Sequence, residues 1–316
     1  MKTCVVGAGA IGGWIAAEMA IAGCDVSLVA RGDTLQLIDS EGLRITENGA
    51  MHCVAVATAE VPAALGLQDL VVVAVKAPAL PEIAPSLEPL IGPETIILPM
   101  LNGVPWWFME EPLWSIDPDC AIADALPIGQ VVGCVVHASC RREAPNHVHV
   151  VHSEKLILGE PDGGGSDRID RLKAAIENSG IPCEASENVR AAIWYKLWGN
   201  ATINPLSALT RSTADQLLED ETIRALMAEA MDELATVGAA IGCPISESSE
   251  DRMGVTARLG AFRSSMLQDV EAGRPIELEA LLGAPREIAR RVEVPTPALD
   301  RIYAMTRLMA DNLGLL

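Results

Sequence analysis

Three groups of residues in this chain have the types and the spacing to do chemistry. The first is Gly7-Ala8-Gly9-Ala10-Ile11-Gly12, a G-x-G-x-x-G run. In such a run the first glycine makes a tight turn and the second lets the backbone approach a pyrophosphate. The third lets a helix pack closely on a strand, and the N-terminus of that helix attracts phosphate. The second group is Lys196, Asn200 and Asn204, spaced i, i+4, i+8 and so on one helical face, with Trp194 and Trp198 on the opposing face. An ammonium can stabilise a developing oxyanion and donate a proton. Amides can orient a polar ligand without adding charge. Asparagine is a poor helix former, so two of them in line with a lysine carry more meaning than the lysine alone. The third is Glu277, just after a break at Gly273-Arg274-Pro275. A helix macrodipole is enough to explain an acid in a first turn; the functional reading is a carboxylate aimed into a cleft.

The elements that must hold these groups are legible in the pattern of apolar residues. Residues 3–7 form a short apolar run that enters the glycine turn, 14–22 follow as a helix, and 25–30 as the next strand. Residues 69–75 and 95–101 are continuous apolar runs, as parallel strands buried on both faces require. Residues 131–136 read as a further strand, and 147–152 with 155–158 as a hairpin. The glycine-rich 162–166 is a flexible turn into a helix at 167–179. From Asn188 onward strand patterns give way to helical ones, at 189–199, 214–242, 253–273, 277–292 and 297–312. Pro205 restricts Asn204, so the helix carrying Lys196 is expected to end or kink there. The fold class is therefore α/β: a Rossmann-type dinucleotide-binding domain at 1–186, then an all-helical domain at 187–316.

The end of the second strand bears on which dinucleotide binds. NAD sites usually place a carboxylate there for the ribose 2′-hydroxyl, and NADP sites an arginine for the 2′-phosphate. Here the tip carries Arg31, with Asp33 two residues beyond, and a planar guanidinium suits a phosphate. Against the plain alternative of a solvated surface arginine, NADP(H) is the expected cofactor. Lys76 closes the run 69–75 and Asn102-Gly103 closes 95–101, at the strand ends where open α/β sheets bind ligands. Asn-Gly is also an ordinary turn pair.

Composition narrows the class further. Of 316 residues, 43 are Asp or Glu and 23 Lys or Arg, a net charge of −20 that argues against nucleic-acid or anionic-membrane binding. The 8 cysteines are scattered with no CxxC pair, and the 5 histidines do not combine with them at ligand spacing, so no metal site is expected. His147 and His149 alternate as strand residues do. Glu18 and the early glycines interrupt what would otherwise pass for a signal peptide, and no uncharged stretch is long enough to span a bilayer. A cytoplasmic location fits this usage.

Together these marks resemble the ketopantoate reductases (2-dehydropantoate 2-reductases), over nearly the whole chain. They are GAGAIG at the start, Arg31, Lys76 in VVVAVKA, Asn102-Gly103, WYKLWGNATINPLSAL, and SSMLQDVEAGRPIE ending at Glu277. The resemblance implies NADPH-dependent reduction of a 2-oxo acid in pantothenate biosynthesis, in a cleft between the two domains. It implies that Lys196 is the catalytic lysine and Glu277 its acidic partner, touching cofactor and substrate. Asn200, Asn204 and Ser265 would hold substrate, Asn102 would serve both ligands, and Ser139 would lie near the cofactor with Gly7 to Gly12, Arg31 and Lys76. The partner would be a small 2-oxo acid, with a homodimer left open. Two departures stand out: Ala214 and Leu282 replace asparagines common in the family. With the aromatic pair Trp106-Trp107, read as a wall over the substrate or as loop packing, they keep open a bulkier 2-oxo acid. A non-catalytic NADP sensor is the other alternative.

Overall fold

The computed structural model describes residues 1–258 and 260–316. They form two compact units, Met1–Leu101 with Cys120–Ala192, and Asn102–Asp119 with Ile193–Leu316.

In the first unit the strands are β1 (Thr3–Val6), β2 (Val26–Val29), β3 (Leu43–Glu47), β4 (Ala50–Val54), β5 (Ala57–Ala59), β6 (Leu70–Val73), β7 (Ile96–Pro99), β8 (Gly133–Ala144), β9 (His147–Gly159) and β10 (Cys183–Ala185). Strands β5-β2-β1-β6-β7 make an entirely parallel sheet. The residues of β1, β2, β6 and β7 are buried throughout, as apolar runs covered on both faces must be. A second sheet runs β10-β9-β3-β4, with β8 antiparallel to β9. Helix α1 (Ala10–Ile21) packs against both sheets. Side chains at its two consecutive glycines would collide on opposite sides, at Gly12 with the backbone of Gly7 and at Gly13 with Val148. Helix α2 (Gly32–Glu41) follows β2, α3 (Leu80–Ile83) and α4 (Ala121–Ala125) are short, and α5 (Asp167–Glu177) is capped by the Ser166 hydroxyl, which accepts from the Ile169 N–H.

Among the strands, one expectation fails. Residues 147–152 and 155–158 do not pair with each other; they are a single strand, β9, and its hairpin partner is β8. Register shifts at His137/Ala138, Ser139/Cys140 and Arg142/Ala144 let these long strands stay paired while they bend.

Helix α6 (Val189–Thr210) carries the chain from the first unit into the second, followed by α7 (Ala214–Glu219), α8 (Glu221–Ala240), α9 (Ser249–Ala257), α10 (Ser265–Glu271), α11 (Ala284–Arg291) and α12 (Pro297–Leu313). Pro205 does not end α6. Its missing N–H leaves the Ala201 carbonyl without a helical donor, but residues 201–208 are all buried, and that packing holds the helix on to Thr210. The long run 214–242 is two helices, because the Asp220 carboxylate accepts from the Thr222 and Ile223 N–H groups and starts α8 afresh. Among the described residues no helix is long and apolar enough to cross a membrane.

Candidate active site and cofactor cavity

The glycine run leaves β1 and enters α1 with the strained geometry its sequence demands. Gly7 has φ +104°, and a Cβ on Gly12 would strike the Gly7 carbonyl oxygen. Only glycine meets either condition. Gly9 caps α1 with no side-chain hydrogen bond, and no acid sits in the first turn. The first N–H groups of a 12-residue helix are therefore left for a ligand, and their dipole favours an anion.

Beside this turn lies an open cavity of about 240 Å³. Gly7, Ala8 and Gly9 form one wall and Arg31 with Thr34 another; Ser86 and Arg142 add further polar groups. Among the described residues no carboxylate lines it. Asp33, in the first turn of α2, is absent from the lining. The sequence pointed to the glycines and Arg31. It gave no sign of Thr34, Ser86 or Arg142, which reach the cavity only through the packing of α2, the segment after α3, and β8. Ala10 and Ile11 lie in the first turn of α1. Lys76 follows the cavity-lining Val75 and is half-buried. Ser139 is half-buried on β8, opposite His152 and outside the cavity lining. A dinucleotide fits this construction: the turn admits a pyrophosphate where a Cβ would block it, and the cavity beside it offers cations to a phosphate.

In the second unit, α6 presents Lys196 and Asn200 half-buried and Asn204 buried to 3 % exposure. The opposite face is anchored in the core. The Trp194 indole N–H donates to the Leu234 carbonyl at 3.0 Å, and the Trp198 indole N–H to the Met231 carbonyl at 2.7 Å. Those bonds orient the helix about its axis and so fix where the Lys196 face points. Asn102 comes to the same face from 98 residues away: the Asn200 amide donates to Asn102 Oδ1 at 3.4 Å. Gly103 makes this approach feasible. It has φ +82°, and a Cβ there would collide with the backbone of Ala280. The Val104 N–H donates to the Ala280 carbonyl at 2.8 Å. Ala280 belongs to a π-helical turn, Glu279–Gly283, that begins two residues after Glu277 and runs directly into α11. Such turns are rare and gather at functional sites. The structure thus brings Asn102 to Asn200 on the Lys196 helix, and ties the loop after Asn102 to the helical segment after half-buried Glu277. Ser265 is the exposed first residue of α10, next to the capping Ser264.

The aromatic pair reads differently in three dimensions. Trp106 and Trp107 are buried, at 5 % and 4 % exposure, and the following Phe108 stacks on Trp194 with ring centroids 5.8 Å apart. This is loop packing, not an exposed wall. Ala214 and Leu282 are likewise core residues, 1 % and 0 % exposed, so neither presents an open surface.

This pairing of a parallel dinucleotide-type unit with a helical unit bearing a lysine–amide face defines a class of oxidoreductase. Family models described as "Ketopantoate reductase PanE/ApbA" and "Ketopantoate reductase PanE/ApbA C terminal" match residues 3–163 and 188–310. A 2-dehydropantoate 2-reductase of Mesorhizobium japonicum is 38% identical, with 99% of each chain covered. A crystal structure of a candidate ketopantoate reductase from Ralstonia solanacearum MolK2 superposes with a TM-score of 0.97 at 45% identity, over 100% of this chain and 99% of that one. The 2-dehydropantoate 2-reductase of Methylococcus capsulatus gives a TM-score of 0.86 at 29% identity, over 99% and 98%. The chain belongs to the ketopantoate reductase family.

Proposed function

We propose that this protein reduces 2-dehydropantoate to pantoate with NADPH, as a cytoplasmic enzyme of pantothenate biosynthesis. Bound NADPH supplies the hydride. Lys196 faces the carbonyl oxygen of the 2-oxo acid, stabilises the charge that grows there and donates the proton. Glu277 is the acidic partner of Lys196 and touches cofactor and substrate, while Asn102, Asn200, Asn204 and Ser265 hold the acid by neutral hydrogen bonds. Gly7 to Gly12 cradle the pyrophosphate, and Lys76 and Ser139 flank the cofactor. Arg31 takes the ribose 2′-phosphate, which a carboxylate-free cavity favours over the NAD hydroxyl. The observation that carries the reading is the Asn200–Asn102 contact on the Lys196 helix, which assembles separate sequence signals into one polar face.

The test is consumption of NADPH by purified protein with 2-dehydropantoate, beside a panel of other 2-oxo acids and an NADH control. Turnover of 2-dehydropantoate with NADPH is the expected result. Turnover confined to another oxo acid would keep the reaction and replace the substrate. Tight NADPH binding with no turnover of any oxo acid would overturn the enzyme reading in favour of a sensor.

A further inference from the structure

Arg142 is unaccounted for by the reaction described above. It lies near the end of β8, next to a register shift at Arg142/Ala144 that leaves Glu143 without a partner on β9. Strand alternation puts Arg141 and Glu143 on one face and Arg142 on the other. Arg141 spends its charge on Glu143, which also meets His149 Nδ1 at 3.2 Å. Arg142 turns the opposite way and joins Arg31 in the lining of the cavity beside Gly7 to Gly9. Elsewhere in the same unit Arg44 pairs with Glu41 and Arg168 with Glu160. Arg31 and Arg142 make no ion pair among the described residues.

Both side chains are exposed, so water moderates their mutual repulsion, but two arginines without an ion pair on one cavity stand out in a chain with 43 acids and 23 bases. Two guanidinium groups on one cavity repel each other, and carboxylates to neutralise them are abundant elsewhere. A ligand that brings two negative charges to one atom cluster removes the repulsion, and a phosphate monoester carries about −1.5 to −2 at neutral pH. A pyrophosphate places one charge on each phosphorus and already has the glycine turn and the α1 N-terminus to meet it.

We propose that Arg142 is a second arginine for the 2′-phosphate of NADPH, closing on it from β8 while Arg31 meets it from the end of β2, so that cofactor choice is set by the pair. This rests on the NADPH reading of the cavity. A single arginine neutralises half of the dianion; two of them also present guanidinium forks from separate elements, which adds geometric selection to charge.

Binding, not turnover, tests this. Dissociation constants for NADPH and NADH, and for the fragments 2′,5′-ADP and 5′-AMP, are measured by calorimetry on the wild-type chain, Arg142→Gln, Arg31→Gln and the double variant. Arg142→Gln should weaken NADPH and 2′,5′-ADP by roughly 10- to 100-fold, the range for a hydrogen bond to a charged group. NADH and 5′-AMP should change by less than about twofold, which also shows that the cavity is intact, since both ligands lack only the 2′-phosphate. The loss in the double variant should be less than the product of the single losses, because both side chains serve one phosphate. If NADPH binding is unchanged in Arg142→Gln, or if NADPH and NADH weaken equally, Arg142 does not read the 2′-phosphate and the inference falls. Failure of the NADPH reading itself would look different: the wild-type chain would bind NADH as well as NADPH before any substitution is made.

Discussion

At the scale of single residues, Lys196 and Glu18 illustrate two uses of a half-buried charge. Lys196 sits on a helix whose far side is locked by two indole hydrogen bonds, so its removal should leave the fold in place. Lys196→Ala is expected to lower kcat by roughly 100- to 10,000-fold, the usual contribution of a positioned acid. NADPH affinity should hold, as read by fluorescence titration. Burial in α1 pushes the Glu18 carboxyl up from 4.5 to about 7, and the nearby Glu47 adds to the shift. Because the folded value lies above the unfolded one, the stability tied to the protonated form is complete below about pH 4.5 and is lost as pH rises through about 7. Glu18→Gln should therefore raise the melting temperature at pH 8 and lose that advantage at pH 4. A variant no more stable than wild type at pH 8 would contradict the assignment.

At the scale of elements, the loop between Asn102 and α4 depends on one carboxylate. Glu287 on α11 accepts from the Trp114 N–H at 3.0 Å, and from the Ser115 N–H and hydroxyl at 2.9 and 2.7 Å. It also pairs with Arg291 at 2.6 Å, and Arg291 donates onward to the Glu111 and Pro112 carbonyls. Burial alone would push the Glu287 carboxyl up, but the donors from Ser115, Trp114 and Arg291 outweigh it and hold it below the ordinary range. Glu287→Ala strands several half-buried donors and is expected to cost about 1–3 kcal/mol in a urea melt. It should also raise amide exchange at Trp114 and Ser115. Sequence periodicity could not have found this clamp, because Glu287 and Ser115 are 172 residues apart. The same limit explains the misread hairpin. Alternation along 147–158 marks β9 as extended, but only pairing with β8, β3 and β10 shows it to be continuous.

For the molecule as a whole, a net charge of −20 means that its surface repels itself. Raising NaCl from about 10 to about 300 mM shortens the screening length several-fold and is expected to raise the melting temperature of the ligand-free protein. A fall would mean that the ion pairs outweigh the net repulsion. The overall plan was plain in the order of residues, since apolar runs followed by helical periods dictate a parallel sheet and then a helical unit. The glycine turn, Arg31, and the line of Lys196, Asn200 and Asn204 were plain too, because each is a local pattern set by backbone sterics or helical pitch. Tertiary structure alone decided that α6 runs through Pro205, since the burial of residues 201–208 outweighs one lost hydrogen bond. It decided that Trp106 and Trp107 are core, that Asn102 reaches Asn200, and that Arg142 faces the cavity while its neighbour Arg141 does not. These outcomes turn on contacts between segments far apart in the chain, and the side chains of a single segment carry no record of what the fold will lay against them.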